Sequence, residues 1–199
     1  MDGFQRRKET KKENIRQAAF ELFSTYGVQK VSIAEIAARA KVSQVTIYNY
    51  FGSKDELLRN VMSVLLEKRL REDTEAIESN IPFPEKIERF ISEKTGELSA
   101  LHSDFLKSVM SEDPAIRQMA EDFTKNKFIP LMLKLIEKGK DEGYIHHTIS
   151  NEAILLYIHM FREGKHSGTF LDLEQNKQLL KELVTLFFYG ILGKPFDRS

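Results

Sequence analysis

Cysteine is absent from the 199-residue sequence, which excludes a disulfide scaffold and metal sites built from thiolates. This absence is compatible with a reducing compartment, and we expect a cytoplasmic protein. A long hydrophobic run is also missing, because the longest apolar stretches, 153–158 and 183–188, are too short to span a bilayer. We therefore expect no membrane association, and the charged, polar start of the chain does not have the pattern of a signal peptide.

The sequence also lacks any stretch in which apolar and polar residues alternate for long enough to indicate a strand. It contains neither an internal repeat nor a low-complexity linker. Apolar residues instead recur at helical spacing, and hydrophobic residues make up 41% of the chain, which is enough for a substantial core. These patterns predict an all-α protein.

An excess of one charge is missing too, but the zero net charge is unevenly distributed. Residues 1–60 contain eleven Lys and Arg against seven Asp and Glu, a net charge of +4, and residues 61–199 carry −4. A basic first part followed by an acidic remainder indicates that only the first part meets a polyanion. An excess of four charges also occurs by chance in ordinary proteins, so this interpretation depends on the sequence motifs described below.

Starts and stops of four helices are visible in the first part of the chain. Gly27 ends the first helix, because glycine adopts the left-handed conformation common after a helix. Ser32 and Glu35 have the spacing of a capping box at the start of the second, and Ser43 is an N-cap for the third. A second capping box at 53–56 begins the fourth helix, which continues to about residue 76 and joins the two parts of the chain.

Longer helices are predicted in the rest of the chain. One includes 87–98, and another begins at 113–114, where an aspartate N-cap precedes a proline at the first helical position. Pro130 lies within this second helix and should kink or break it. Ser150 begins a further helix, and the last one extends over about 173–193.

The second and third helices have the pattern of a helix-turn-helix, in which the later helix lies in the major groove of DNA. Few residues separate the two helices, Ala37 is small enough to let them cross closely, and Ile36 and Ile47 belong to their apolar centre. The free amides at the start of the second helix can also hold a phosphate. The residues expected to contact DNA are Ser32, Ser43, Gln44, Val45, Thr46, Tyr48, Asn49, Tyr50 and Lys54.

These side chains suit different parts of a DNA duplex. Gln44 and Asn49 can pair with an adenine edge, while Val45 and the methyl group of Thr46 can contact the thymine methyl group. The tyrosine hydroxyl groups and Lys54 suit phosphate oxygens, which fix the position of the protein and do not specify sequence.

Several of these residues have an alternative role. Ile47 and Phe51 are expected to hold the third helix to the core. For Tyr50 two roles are open, a place in the core and a contact with phosphate. Lys54 is either solvated or bound to phosphate. The basic run at 6–12 is either a frayed end or a flexible arm on the phosphates or the minor groove.

Five segments have the spacing and residue types of a known DNA-binding domain: 23–27, 31–37, 42–43, 47–51 and 53–58. On these segments residues 11–58, about a quarter of the chain, resemble the DNA-binding domain of the TetR family of bacterial repressors. The resemblance implies that the residues from Gln44 to Lys54 in the set above lie where family members contact DNA. One departure is Lys41, where the family usually has glycine in the turn. A residue other than glycine at positive φ is uncommon, so we expect a turn that is slightly strained or shaped differently.

The resemblance also implies a domain organisation. An N-terminal three-helix helix-turn-helix domain, residues 1–53, is followed by a larger C-terminal helical domain for ligand sensing and dimerisation, residues 54–199. Family members bind DNA as homodimers, and the last two helices of each subunit form the dimer interface. Both corresponding stretches of this chain are broadly apolar. The alternative is that both helices belong only to the intramolecular core. The expected interface residues are Leu155, Ile158, Leu180, Leu183, Val184, Phe187 and Phe188.

Family members commonly hold an effector between the middle helices. Met and Phe side chains in this region can shape an apolar cavity for a lipophilic ligand, although each is also a plausible plain core residue. The sequence shows no metal-ligand cluster, phosphate-binding loop or nucleophile motif, so we expect no metal and no cofactor. The expected ligand-binding residues are Phe105, Met110, Phe123, Phe128, Met132, Tyr157, His159 and Phe161.

The sequence therefore predicts a bacterial, sequence-specific DNA-binding transcriptional regulator that is not an enzyme. Its expected partners are double-stranded operator DNA, a second copy of itself and a small lipophilic effector that releases a repressor from its operator. Two alternatives stay open: a DNA-bound regulator controlled by a protein partner, and an all-helical enzyme with an incidental helix-turn-helix. The choice between repression and activation also stays open.

Overall fold

The computed structural model describes residues 3–86, 105, 108–157, 182 and 186, with only the backbone of residue 4. Every regular element in this part of the chain is helical, which confirms the all-α prediction. Residues 83–86, 108–112 and 151–157 form short helical stretches. The longer helices are α1 (Gly3–Tyr26), α2 (Ile33–Ala40), α3 (Gln44–Phe51), α4 (Lys54–Glu78), α5 (Pro114–Phe123) and α6 (Ile129–Asp141), with a π-helical turn, Thr124–Phe128, between the last two.

The chain divides into two compact units. The described residues of the first are 3–69, 105 and 108–122, and those of the second are 70–86, 123–157, 182 and 186. Helix α4 begins in the first unit and ends in the second. This division by packing differs from the expected functional boundary between residues 53 and 54, which stays a prediction.

The first unit is built around one hydrophobic core that receives side chains from five helices. The rings of Phe20 and Phe105 meet edge to face in it, with centroids 5.7 Å apart. Because α3 has only eight residues, it depends on this core to stay helical. Each of α1 to α5 contributes at least one completely buried side chain, including Ile15, Ile36, Ile47, Leu57 and Ile116.

The turn between α2 and α3 has an unusual backbone at Lys41. This residue has φ of 55° and ψ of 45°, and it is the only non-glycine residue at positive φ in the described part of the chain. Its amide donates to the carbonyl groups of Ala37 and Ala38 at the end of α2. Gly27, with φ of 83°, ends α1 in the same left-handed region. Both the strained turn and the glycine stop were expected from the sequence.

Serine residues begin α2, α3 and α4, as predicted. The capping box is complete at Ser32, and Ser43 accepts a hydrogen bond from a backbone amide in the first turn of α3. At the start of α4, Ser53 accepts a bond from the amide of Glu56 at 3.1 Å. The carboxylate of Glu56 accepts from Arg59 at 2.7 Å, so this side chain is directed into the next turn of α4.

Pro130 does not break the helix that starts at Pro114. The chain continues from α5 into α6 through a π-helical turn, in which the amide of Ile129 donates to the carbonyl of Thr124. Proline has no amide hydrogen, and its ring clashes with the carbonyl four residues earlier. A locally wider turn directly before the proline avoids that clash while the helix continues.

The second unit has its own hydrophobic core, in which α6 approaches the 83–86 stretch closely. A Cβ atom on Gly139 would lie only 2.5 Å from the ring of Phe83, so the glycine allows this contact. Lys86 is 2% exposed, and its Nζ donates to the carbonyl groups of Ile77 and Ser79 at the end of α4. Burial lowers the pKa of Lys86, and it acts here as a cap on the last turn of α4.

Two predicted helices, over 87–98 and about 173–193, lie outside the described residues, apart from residues 182 and 186. Within the described ranges, no helix combines the length and the apolar character needed to cross a bilayer.

Candidate nucleic-acid interface

Helix α3 has one side in the core and one side in solvent. Ile47 is completely buried, and Phe51 is half-buried against the core of the first unit, as the sequence predicted. Val45 is 65% exposed although it is apolar, which leaves its methyl groups available to a partner. The exposed side chains of this helix are Gln44, Val45, Tyr48 and Asn49.

The hydroxyl groups of Ser43 and Thr46 pair with each other at the start of α3. They are 2.8 Å apart, and the Ser43 hydroxyl also accepts from the amide of Thr46 at 3.1 Å. Two hydroxyl groups carry two protons, and the contact between them uses one. The pair therefore retains one donor for a phosphate or a base.

Tyr50 is half-buried and packs against the core of the first unit. Its ring meets the ring of Phe51 edge to face, with centroids 6.4 Å apart and an angle of 87°. Of the two roles that the sequence left open, the core role is the one observed. A phosphate contact by Tyr50 stays a prediction.

The start of α2 brings Ser32, Glu35 and Lys54 together. The amide and the hydroxyl of Ser32 each donate to Glu35 Oε2 at 2.7 Å, and the amide of Glu35 donates to the Ser32 hydroxyl at 3.3 Å. The bonds from Ser32 lower the pKa of Glu35, and the positive charge of Lys54 lowers it further. The charge of Lys54 therefore acts on the carboxylate that completes the capping box at Ser32. A phosphate contact at Ser32 or Lys54 stays a prediction.

Arg39 is a cation near α3 that the sequence analysis did not identify. It lies in the last turn of α2, and its side chain is 63% exposed. Its Nη2 donates to Glu21 Oε2 at 2.7 Å, and this bond, with one from Gln17, lowers the pKa of Glu21. The sequence could have indicated Arg39, because it is a basic residue directly before the turn that leads into α3.

The residues predicted to bind an effector are distributed over both units. Phe105 is buried in the core of the first unit, and Met110 packs against that core. Met132 is buried in the core of the second unit, and Phe128 packs against it. Tyr157 is 42% exposed. The role of this set in ligand binding stays a prediction.

Two further predicted residues, Phe123 of the ligand set and Leu155 of the dimer set, are half-buried. The remaining ones lie outside the described part of the chain. They are His159 and Phe161 of the ligand set and Ile158, Leu180, Leu183, Val184, Phe187 and Phe188 of the dimer set.

Comparison with known proteins agrees with this geometry. The family model of the bacterial regulatory proteins of the tetR family matches residues 15–61, which include α2, α3 and the beginning of α4. The chain is also 24% identical over 192 residues to the uncharacterized HTH-type transcriptional regulator YdeS of Bacillus subtilis, covering 93% of this chain and 91% of that protein. The chain belongs to the TetR family of helix-turn-helix transcriptional regulators.

Solved structures show the same TetR fold over almost the whole chain. A regulator from Saccharomonospora viridis in complex with choline has a TM-score of 0.71 at 16% identity, covering 92% of this chain and 98% of that one. FadR from Bacillus subtilis in complex with stearoyl-CoA has a TM-score of 0.61 at 19% identity, covering 86% and 96%. At these identities the likeness establishes the fold, an N-terminal helix-turn-helix domain followed by a C-terminal helical domain.

TetR-family proteins are DNA-binding regulators and form a non-enzymatic family, which removes the enzyme alternative. In this TetR-family chain α2 and α3 form the helix-turn-helix, so α3 is the recognition helix. The contacts of individual side chains with DNA stay predictions.

Proposed function

We propose that the chain is a cytoplasmic, homodimeric repressor that leaves its operator when a small lipophilic molecule binds to the C-terminal domain, from about residue 54 onward. One observation supports the DNA-binding half most directly. The recognition helix is fixed from behind by the buried Ile47, while Gln44, Val45 and Asn49 are exposed on it. Such an arrangement suits a helix whose polar and methyl groups enter the major groove.

Truncation of the two exposed amides tests base recognition. Gln44→Ala and Asn49→Ala should each lose about 1–3 kcal/mol of discrimination between the operator and scrambled DNA. Fluorescence anisotropy with promoter fragments measures this ratio. Gln118→Ala makes the same chemical change on the exposed surface of α5 and should leave the ratio unchanged. An unchanged ratio in both α3 variants would show that these residues do not read bases.

Exposed leucines support a dimer interface in the C-terminal domain. Leu156 is 59% exposed and Leu186 is 64% exposed, and both lie in the two stretches expected to pair with a second copy. A homodimer would place two recognition helices about 34 Å apart, on successive major grooves. A monomer has only one recognition helix, so contact with two successive major grooves requires a dimer.

A matched pair of charge insertions tests this interface. Leu156→Glu should shift the protein to a monomer in light scattering and abolish tight operator binding. Val45→Glu inserts the same charge at an equally exposed apolar position of α3. It should keep the dimer but lose DNA affinity. A Leu156→Glu protein that stays dimeric would place the interface elsewhere.

Similar structures support a small-molecule effector, since one holds stearoyl-CoA and another holds choline. The Phe and Met residues of the C-terminal domain favour the lipophilic class for this chain. An effector can release the operator only if it binds more tightly to the DNA-free conformation.

Thermal-shift measurements with stearoyl-CoA, palmitate and choline, followed by anisotropy with bound operator, test this step. We expect a ligand with a long apolar chain to raise the Tm and release DNA, and choline to do neither. If no ligand changes the Tm or the operator affinity, control by a protein partner becomes the better explanation.

A further inference from the structure

We propose that the first three turns of α1 form a second DNA contact, which binds backbone phosphates outside the bases that α3 reads. Residues 3–14 are called the basic extension here. Among the described side chains of α1, Ile15 is the first that is buried, and those of the basic extension are exposed or half-buried. None of these described side chains belongs to the core of the first unit.

The lysines and the glutamates of the basic extension lie on different faces of α1. Lys8, Lys11 and Lys12 precede Ile15 by seven, four and three residues, so they continue the helix face that becomes apolar at Ile15. Glu9 and Glu13 lie on the other side of the helix, because they precede Ile15 by six and two residues. One face thus changes from basic to apolar along α1.

Most of these cations have no acidic partner. Within the described ranges, Glu13 pairs with Arg16 at 2.8 Å, and Glu9 pairs with one cation of the basic extension, Lys12, at 3.7 Å. Arg6, Arg7, Lys8 and Lys11 form no ion pair with the described residues. Their charge is therefore available to an anion.

The position of these cations is also unfavourable for the helix itself. Positive charges near a helix N-terminus oppose the helix dipole, and the first turn of α1 contains no acidic residue. A segment of twelve residues without core contacts is marginally stable as a helix. A polyanion on the basic face removes the electrostatic penalty, so its binding should stabilise the helix.

The dimensions and the charge point to a nucleic-acid backbone. Twelve helical residues extend about 18 Å, and over the same length of its axis a duplex presents about five phosphates on each strand, at an axial spacing of roughly 3.4 Å. The basic extension and the recognition helix belong to the same compact unit, so a duplex bound by α3 is a polyanion that this unit already holds. This inference rests on DNA binding through α3, and the test keeps the two contacts distinguishable.

The salt dependence of operator binding distinguishes them. The variant R7Q/K8Q/K11Q should weaken binding to operator and to scrambled DNA equally, by up to about a hundredfold at 0.15 M salt. The slope of log K against log salt should become shallower by about 2–3, since each lost phosphate contact removes about 0.9. The Tm should not fall, because none of the three side chains is buried and their removal relieves the repulsion between these charges and the helix dipole.

Two further variants complete the experiment. K125Q/K127Q/K134Q removes three exposed lysines of the second unit and should leave affinity and slope unchanged. Q44A/N49A should lower the specificity ratio and leave the slope unchanged. If Q44A/N49A lowers specificity while R7Q/K8Q/K11Q matches the wild type, the basic extension is a solvated helix end and this inference is wrong. If neither variant affects DNA binding, the function assigned to α3 fails as well.

Two additional measurements test the partner class and the ordering of the helix. Hydrogen exchange of the amides of residues 3–14 should slow when operator is bound in the wild type and not in R7Q/K8Q/K11Q. Vesicles that contain phosphatidylglycerol should bind the two proteins equally weakly. Vesicle binding that is lost in the variant, together with unchanged DNA binding, would assign this face to an acidic membrane surface and overturn the proposal.

Discussion

Arg59 of α4 donates from Nε to a carboxylate oxygen of Asp113 at 2.9 Å. The other oxygen of Asp113 accepts from the amide of Ala115 at 2.8 Å, so the same side chain caps the N-terminus of α5. Burial alone would raise the pKa of Asp113, but the bonds from Arg59 and Ala115 outweigh it and hold the pKa below its ordinary value. The ion pair thus joins α4 to the start of α5 within the first unit.

Asp113→Asn should make the protein less stable than the wild type at neutral pH and less sensitive to acid. A carboxylate with a lowered pKa stabilises the fold above its ordinary pKa of about 3.9, and this contribution is lost as the pH falls through the folded-state value. Tm measurements from pH 7 to pH 3 should therefore converge for the two proteins. Asn keeps the cap, because it is as good an N-cap as Asp.

Asp113→Ala is the matched comparison, because it removes the cap as well as the charge. It should lose about 1 kcal/mol more than Asp113→Asn at every pH. If Asp113→Asn has the wild-type Tm at pH 7, the ion pair contributes nothing measurable, which is common for partly exposed pairs.

Ile47→Ala and Val45→Ala should have opposite consequences although both truncate an apolar residue of α3. Ile47 is completely buried, so its truncation should cost about 2–5 kcal/mol of unfolding free energy. Val45 is 65% exposed, and its truncation should change stability by less than about 0.5 kcal/mol. Urea unfolding measures the first effect, and operator affinity measures the loss of the methyl contact in the second. Equal stability losses would contradict the orientation of α3.

The elements that the sequence predicted well are those fixed by neighbouring residues. Gly27, Ser32 and Ser43 act as a helix stop and two caps because each needs partners only three or four residues away. The Lys41 turn was visible for the same reason, since a single residue departs from the usual glycine.

The features that the sequence did not predict are of two kinds. Either several local structures were possible at one residue, or the residue has a partner far away in the chain. Pro130 could break, kink or widen a helix, and no residue near it in the sequence indicates the π-helical turn that the structure shows. The pairs of Arg39 with Glu21 and of Arg59 with Asp113 join residues far apart in the chain, so only the fold brings them together.

Lys41→Gly should stabilise the helix-turn-helix. A side chain in the left-handed region costs about 1–2 kcal/mol of folding free energy, which glycine avoids. Glycine loses about 0.5–1 kcal/mol of this gain, because its unfolded state has a larger conformational entropy. We expect a net gain of about 0.5–1 kcal/mol in urea unfolding. Lys41→Ala removes the same charge but keeps the strain, so its stability should stay close to the wild type. A Gly variant that is no more stable than the Ala variant would show that the turn is unstrained.

Gly139→Ala should destabilise the second unit. The new methyl group would lie 2.5 Å from the Phe83 ring and 2.8 Å from Ile145, and overpacking of this kind costs about 1–3 kcal/mol. Phe83→Leu shortens the ring side chain that the methyl group would meet. The double variant should therefore lose less stability than the sum of the two single variants, and strict additivity in thermal unfolding would contradict the clash.

If the predicted phosphate contact at Ser32 forms, DNA binding exchanges one anion for another at this capping box. The donors of Ser32 that would hold a phosphate are already occupied by the carboxylate of Glu35. A phosphate that takes over these bonds returns Glu35 to water beside a like charge, which reverses the lowering of its pKa. Complex formation at this point is then accompanied by proton uptake in mildly acidic solution, so the operator is held more tightly as the pH falls toward the pKa of Glu35.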